Sequence, residues 1–166
     1  EIVVVAGYMK EKFDEYFSGN EKVKVVEQEE ALGTADAALQ AREHIEEEAV
    51  ILNGDDIYGS NLGKVIEEDR AVLASRAENP ENYGVFSTED GKVTGITEKP
   101  ADPDSSLVNT GCFKVKKDFF DLLEEVERSE RGEYEITDAL ETYLDQKEVE
   151  IVEAERWMPC SYPWQL

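Results

Sequence analysis

Residues 50–56 read VILNGDD. The first three, 50–52, are a short continuous apolar run, the pattern of a strand covered on both faces. Asn53, Gly54, Asp55 and Asp56 end it. IVVVA at residues 2–6 is a run of the same kind, also expected to be buried on both faces, and Gly7 breaks it. Residues 23–26, 71–77, 108–115 and 150–152 read as further strands. Helical patterns lie between them. MKEKFDEYF at 9–17 is a short helix. Thr34 stands as an N-cap for a helix to about residue 48, with Ala35, Ala38, Leu39 and Ile45 on its apolar side. Residues 62–69 form a weak helix. Phe119, Leu122, Leu123 and Val126 follow i, i+3, i+4, i+7 spacing, and so do Ile136, Ala139, Leu140 and Tyr143, with Thr137 as a cap. Residues 84–87 and 92–97 flank Glu89-Asp90-Gly91, a hairpin signal. Strands alternating with helices predict an α/β fold with a mainly parallel sheet. Ligands of such sheets sit beyond the carboxyl ends of the strands, which selects Gly54-Asp55-Asp56 and the region of Asn109.

Composition narrows the function. The chain has 166 residues, enough for one domain with a sizeable core, and 40 % of them are hydrophobic. No apolar run approaches the roughly 20 residues of a membrane span, and no signal peptide is visible, so a cytoplasmic protein is expected. Forty acidic against 17 basic residues give a formal charge of −23. That excludes nucleic acid and an anionic membrane surface as partners. An enzyme of polyphosphates with this charge needs local cations, backbone N–H groups or a metal. Cys112 and Cys160 are too few for a disulfide framework and lack zinc-site spacing. His44 lies among glutamates and anchors no catalytic triad.

Three segments could carry chemistry. Asp55, after a strand and a glycine, can hold Mg²⁺, although a turn aspartate capping the next segment has the same appearance. Lys99 in Glu98-Lys99-Pro100 can meet a phosphate, and Glu98 can accept from hydroxyls; an exposed ion pair before a turn proline is the plainer alternative. Asn109-Thr110-Gly111 puts polar groups inside an apolar strand. A ligand or a neighbouring loop must satisfy them, and Gly111 permits close approach.

In order along the chain, QEEALGTADAAL, ILNGDDIY, NYGVF, EKP, NTG, RGEYEITDAL and WMPCSYPWQL resemble segments of the sugar-1-phosphate nucleotidylyltransferases. The likeness runs from Ile2 to the C-terminus and is greatest to the archaeal bifunctional type, which makes uridylyl or thymidylyl sugars. RGEYEITDAL is the most specific of these matches. The resemblance implies a Rossmann-like nucleotide-diphospho-sugar transferase fold, a mainly parallel mixed sheet with helices on both faces. It implies transfer of a nucleotidyl group from a nucleoside triphosphate, UTP or dTTP, to a sugar-1-phosphate, with release of pyrophosphate and with Mg²⁺ as cofactor. Gln28 and Gly33 would read the base, with Thr34 beside them. Asp55 would ligate Mg²⁺. Tyr83 and Gly84 would line the sugar pocket. Glu98, Asn109, Glu135 and Thr137 would hydrogen-bond the sugar, and Lys99 would meet its phosphate.

Two departures bear on activity. The family starts with a strand and a G-x-G-T-R loop that grips the triphosphate, and the 166 residues contain neither. The strand would lie between residues 2–6 and 50–53, so both neighbours are expected to have open edges. The chain alone is then expected to be unstable or repaired by a partner, and inactive. A continuous sheet through those two strands in a compact monomer would contradict this. Residues 1–166 read as one incomplete nucleotidylyltransferase domain, with YPWQL where a left-handed β-helix would begin; a homo-oligomer stays open. Pro159 stands where the family has a second metal-binding aspartate, and Ser161 where it has a glycine. A weak metal site is therefore expected. A non-catalytic sensor of nucleotide or sugar phosphate is the alternative function.

Overall fold

The structure, a computed structural model, describes residues 1–160. Its elements are β1 (Ile2–Ala6), α1 (Lys10–Tyr16), β2 (Val23–Glu27), α2 (Thr34–Gln40), β3 (Glu48–Leu52), β4 (Asp56–Tyr58), α3 (Leu62–Glu67), β5 (Ala71–Arg76), β6 (Gly84–Glu89), β7 (Lys92–Glu98), β8 (Leu107–Lys116), α4 (Phe119–Leu123), α5 (Ile136–Gln146), β9 (Glu150–Glu153) and β10 (Trp157–Pro159), with 3₁₀ turns at Arg42–His44 and Pro80–Asn82. They form two compact units. One holds residues 1–47 and 117–139, the other residues 48–116 and those from 140 onward.

In the first unit β1 and β2 pair in parallel, Ile2 opposite Val23 through Ala6 opposite Glu27. The other edge of β1 has no strand among the described residues. This explains why IVVVA is less buried than a two-sided strand: only Ala6 is buried, and Ile2 is 59 % exposed. The helix expected from Thr34 to about residue 48 stops at Gln40 and continues as a single 3₁₀ turn. Arg42 accounts for the break. Its guanidinium donates to the Phe120 carbonyl and ion-pairs with Glu124 (2.6 Å) and Asp121 (2.5 Å), tying this segment to α4. Of the expected stripe, Phe119 and Leu123 are buried and Leu122 and Val126 half-buried, while Phe120, outside that spacing, is buried as well.

The second unit holds a six-stranded sheet in the order β3-β8-β5-β9-β7-β6. β5 lies between β8 and β9, and its first four residues are fully buried. β3 has β8 on one side and nothing on the other among the described residues, so it is an edge strand and not the doubly covered strand its composition suggests. The α/β class with mixed strand pairing holds: β1–β2 and β5–β9 are parallel, and the remaining pairings are antiparallel. The hairpin β6–β7 turns at Asp90 and Gly91, with φ of 50° and 82°, as a two-residue type I′ turn requires. Val65, Ala71, Leu73, Cys112 and Val152 form one core cluster, with Val50, Tyr58, Leu62 and Ala154 packed on it.

At the far end of β8, Lys114 is nearly buried, donates to the Ile66 carbonyl (2.8 Å) and pairs with Glu48 (3.0 Å). Lys116 pairs with Glu48 and Asp69, both at 2.7 Å. Lys116 and then Lys114 hold the Glu48 carboxyl below its usual range, and Lys116 does the same for Asp69. Both carboxylates therefore stabilise the fold above their unfolded pKa and lose that effect as the pH falls through their lower folded values. Glu48→Gln is expected to lower the urea midpoint at pH 7 and to lower it less at pH 3, as followed by circular dichroism at both pH values.

Candidate functional site

In the first unit, β2 delivers Gln28 to the start of the loop that leads into α2. The Gln28 backbone N–H donates to the Ala6 carbonyl (3.0 Å). Its side-chain Nε2 donates to the Gly33 carbonyl (3.1 Å) and to the Asp36 carboxylate (2.7 Å). Gly33 has φ of 121°, and a β-carbon there would run into the Tyr134 backbone. Glycine is needed because two motifs lie against each other here. The Tyr134 N–H donates to the Leu32 carbonyl (2.8 Å), and the Ala35 N–H donates to the Tyr134 carbonyl (2.9 Å). Thr34 is not the side-chain N-cap of its own helix. It is the first residue of α2, and its hydroxyl accepts from the Ile136 N–H (2.9 Å), satisfying a free donor at the start of α5. The segment RGEYEITDAL thus braces the loop of QEEALGTADAAL.

Two of the residues expected to bind the sugar lie in the same unit. Glu135 accepts from Arg131 (2.9 Å) and pairs with the Ser129 hydroxyl (3.3 Å), so its carboxylate is engaged within its own segment. Thr137 is inside α5 and caps nothing. Its hydroxyl is buried without a hydrogen-bond partner among the described residues. Such a group is costly to leave unmet, and a ligand is one way to meet it.

In the second unit five motif segments are joined by direct contacts. The register of β8 on β5 shifts between Leu73 and Ala74: Cys112 lies opposite Leu73, but Asn109 lies opposite Ala74. Thr110 and Gly111 are therefore bulged out of the ladder. Gly111 takes φ of 69°, and its carbonyl accepts from the Asn53 N–H (3.1 Å). Thr110 Oγ1 donates to the Leu73 carbonyl (2.7 Å), so the protein satisfies it. Asn109 Oδ1 accepts from the Gly111 N–H (2.9 Å), which leaves its amide nitrogen without a partner among the described residues.

Asp55 is exposed, and its carbonyl accepts from the Cys160 N–H (3.0 Å). Asp56 points the other way. Its carboxylate accepts from the Trp157 indole (3.1 Å) and the Tyr58 hydroxyl (3.4 Å), while that hydroxyl also reaches the Thr110 carbonyl (2.9 Å). Burial, more than the neighbouring Asp55, raises the Asp56 carboxyl above its usual range. Burial likewise pushes the Tyr58 phenol up, and raises the Cys112 thiol to about 12, which leaves it an inert core residue. β10 pairs antiparallel with β4, placing Pro159 opposite Asp56. The Trp157 ring meets the Tyr83 ring edge-on at 5.4 Å. The Tyr83 carbonyl accepts from the Lys99 N–H (3.0 Å), and Gly84 is paired with Glu98. Lys99 is left-handed, with φ of 44°, and its ammonium lies 3.6 Å from Glu98. Lysine is rarely held in that conformation, and such strain gathers at functional positions. Ser161 and YPWQL lie outside the described residues.

The fit to Mg²⁺ is limited. Among the described residues no three His, Cys, Asp or Glu side chains cluster as a metal site. Asp56 is taken up by Trp157 and Tyr58, and Pro159 offers no carboxylate. Asp55 alone is available, which suits Mg²⁺ only where substrate phosphates and water complete the octahedron.

The sequence left several of these residues without a role. Asp36, Asn53 and Tyr58 gave no pattern of their own; Asn53 and Tyr58 meet partners distant in the chain, and Asp36 meets Gln28 across a loop. The second aspartate of NGDD and the tryptophan of WMPC were visible, but not that they bond to each other.

An α/β sheet that carries polar segments at its strand ends and bulges is a common framework for ligand binding. Residues 1–159 match the family model described as nucleotidyl transferase, and the chain belongs to that family of enzymes. It is similar to the bifunctional protein GlmU of Methanococcus maripaludis, 36 % identical over 168 residues, covering 99 % of this chain and 41 % of that protein. It is also similar to the UTP–glucose-1-phosphate uridylyltransferase AglF of Haloferax volcanii, 33 % identical over 177 residues, covering 98 % and 73 %. Among solved structures, a UDP-glucose pyrophosphorylase with bound UDP-glucose superposes with a TM-score of 0.84 at 21 % identity, over 98 % of this chain and 76 % of that one, and supports the fold. The chain spans about two fifths of the length of the GlmU relatives it matches. No helix among the described residues is long and apolar enough to cross a membrane.

Proposed function

We propose that this domain transfers a uridylyl or thymidylyl group from a nucleoside triphosphate to a sugar-1-phosphate, releasing pyrophosphate. The observation that carries this reading is the joining of the NGDD, NYG, EKP, NTG and WMP segments by direct contacts in the second unit, in a chain of the nucleotidyl transferase family. No protein nucleophile is required. A sugar-phosphate oxygen attacks the α-phosphorus, and the residues position the reactants and offset charge. Gln28 and Gly33 contact the base. Thr34 acts indirectly, by locking the loop to α5. In the second unit Tyr83, Gly84, Glu98 and Asn109 bind sugar hydroxyls; in the first, Thr137 offers its unmet hydroxyl to a sugar hydroxyl, with Glu135 shaping the segment beside it. Lys99 meets the sugar phosphate. Asp55 would hold Mg²⁺, which when bound offsets phosphate charge. A cytoplasmic setting, where these substrates reside, goes with this reading.

The test is pyrophosphate release by the full-length protein, with UTP, dTTP, CTP and ATP, each against glucose-1-phosphate and N-acetylglucosamine-1-phosphate. Turnover with UTP or dTTP and a sugar phosphate is expected. The 166-residue chain, which lacks a triphosphate-gripping loop, is expected to show none. Pro159 beside Asp56 favours one other reading, a non-catalytic sensor of the same ligands. Ligand binding without turnover in the full-length protein would establish that reading instead.

A further inference from the structure

The Gln28 amide is held in one orientation. Nε2 donates to the Gly33 carbonyl at 3.1 Å and to the Asp36 carboxylate at 2.7 Å. A carbonyl and an ionised carboxylate only accept, so turning the amide over would set Oε1 against two acceptors. Both amide hydrogens are thereby used. Oε1 accepts no hydrogen bond among the described residues, and it is what the side chain has left to offer. Asp36 is itself steadied in the first turn of α2: Gln40 Nε2 donates to its carbonyl (3.2 Å) and reaches its other carboxylate oxygen (3.4 Å).

We propose that Asp36 is the positioning residue that sets base specificity: with the Gly33 carbonyl it fixes Gln28 as an acceptor, selecting a pyrimidine that carries an N3–H, uracil or thymine, over cytosine. The inference rests on Gln28 being the base contact of the function proposed above. Uracil and thymine present N3–H to Oε1. Cytosine in the same ring position presents the N3 lone pair, and two acceptors then face each other without a proton. An amide free to rotate would serve either base. Asp36 touches no substrate in this account and acts through Gln28.

The test compares wild type, Asp36→Ala, Asp36→Asn and Gln28→Met in the full-length protein. Binding of UTP and CTP is titrated, and pyrophosphate release is measured with each. Wild type should favour UTP over CTP by about tenfold to a hundredfold, the effect of one unmet buried polar group. Asp36→Ala should bring that ratio to within about threefold, through KM rather than kcat. Asp36→Asn, which keeps a side-chain carbonyl as acceptor, should retain the preference. Gln28→Met should lose it, and serves if Asp36→Ala fails to fold. A merely structural Asp36 would change the melting temperature and not the UTP:CTP ratio. An unchanged ratio in Asp36→Ala, or equal affinities in wild type, overturns the inference while leaving nucleotidyl transfer intact. UTP binding without turnover overturns the catalytic reading, and the titrated ratios still judge Asp36. No binding of either nucleotide overturns both.

Discussion

Asp55→Ala is expected to slow pyrophosphate release by about 10²- to 10⁴-fold and to leave the melting temperature nearly unchanged. The size follows from the several kcal/mol that charge neutralisation by a bound metal contributes, at tenfold per 1.4 kcal/mol. The asymmetry follows from the geometry. Asp55 is exposed, and its side chain has no hydrogen-bond partner among the described residues, so little of the fold depends on it. Asp56 should behave in the opposite way. Its carboxylate holds the Trp157 indole, so Asp56→Ala leaves that part-buried N–H unmet and should destabilise the fold, while the Tyr58 hydroxyl keeps the Thr110 carbonyl. Steady-state kinetics and thermal melting of the two alanine variants separate the roles. Full activity in Asp55→Ala would remove this residue from the reaction.

Gly111→Ala should be a strongly destabilising single-methyl change. Gly111 sits in the β8 bulge at φ of 69°, and a new β-carbon would land on the side chain of Asn53. The left-handed conformation costs an L-residue roughly 1–2 kcal/mol. Overpacking against Asn53 adds roughly 1–3 kcal/mol. A loss of about 2–5 kcal/mol is therefore expected in urea unfolding. Asn53 leads directly into Gly54 and Asp55, so turnover should fall as well, beyond what the lost stability explains. A wild-type urea midpoint in Gly111→Ala would show that the bulge is not fixed by this contact.

Much of the fold was legible because its strands and helices carry local patterns. IVVVA, the Asp90-Gly91 turn and the α4 and α5 spacings each predict an element that is present. Pairing direction was not legible. β8 runs antiparallel to both β3 and β5, and nothing in an apolar run states which way its neighbour points. β4 and β10, three residues each, were too short to show periodicity. The expected helix from Thr34 overran because Arg42 is fixed by α4, some 80 residues further on. Thr34 was a correct sign of a helix start, but its hydroxyl serves α5. At the candidate site the motif residues were legible one by one. Their connections were not: the bonds Asp56–Trp157, Gln28–Asp36 and Asn53–Gly111 are made in space. The same holds for the unmet hydroxyl of Thr137, which looked in the sequence like a cap.

The central claim is nucleotidyl transfer to a sugar-1-phosphate. Its most direct test is to give the full-length protein UTP, or dTTP, and a sugar-1-phosphate labelled with ¹⁸O on its phosphate oxygens, with Mg²⁺, and to weigh the product. The account predicts a nucleotide sugar that carries the labelled sugar phosphate intact, formed together with unlabelled pyrophosphate. No nucleotide sugar, or one without the label, would contradict it.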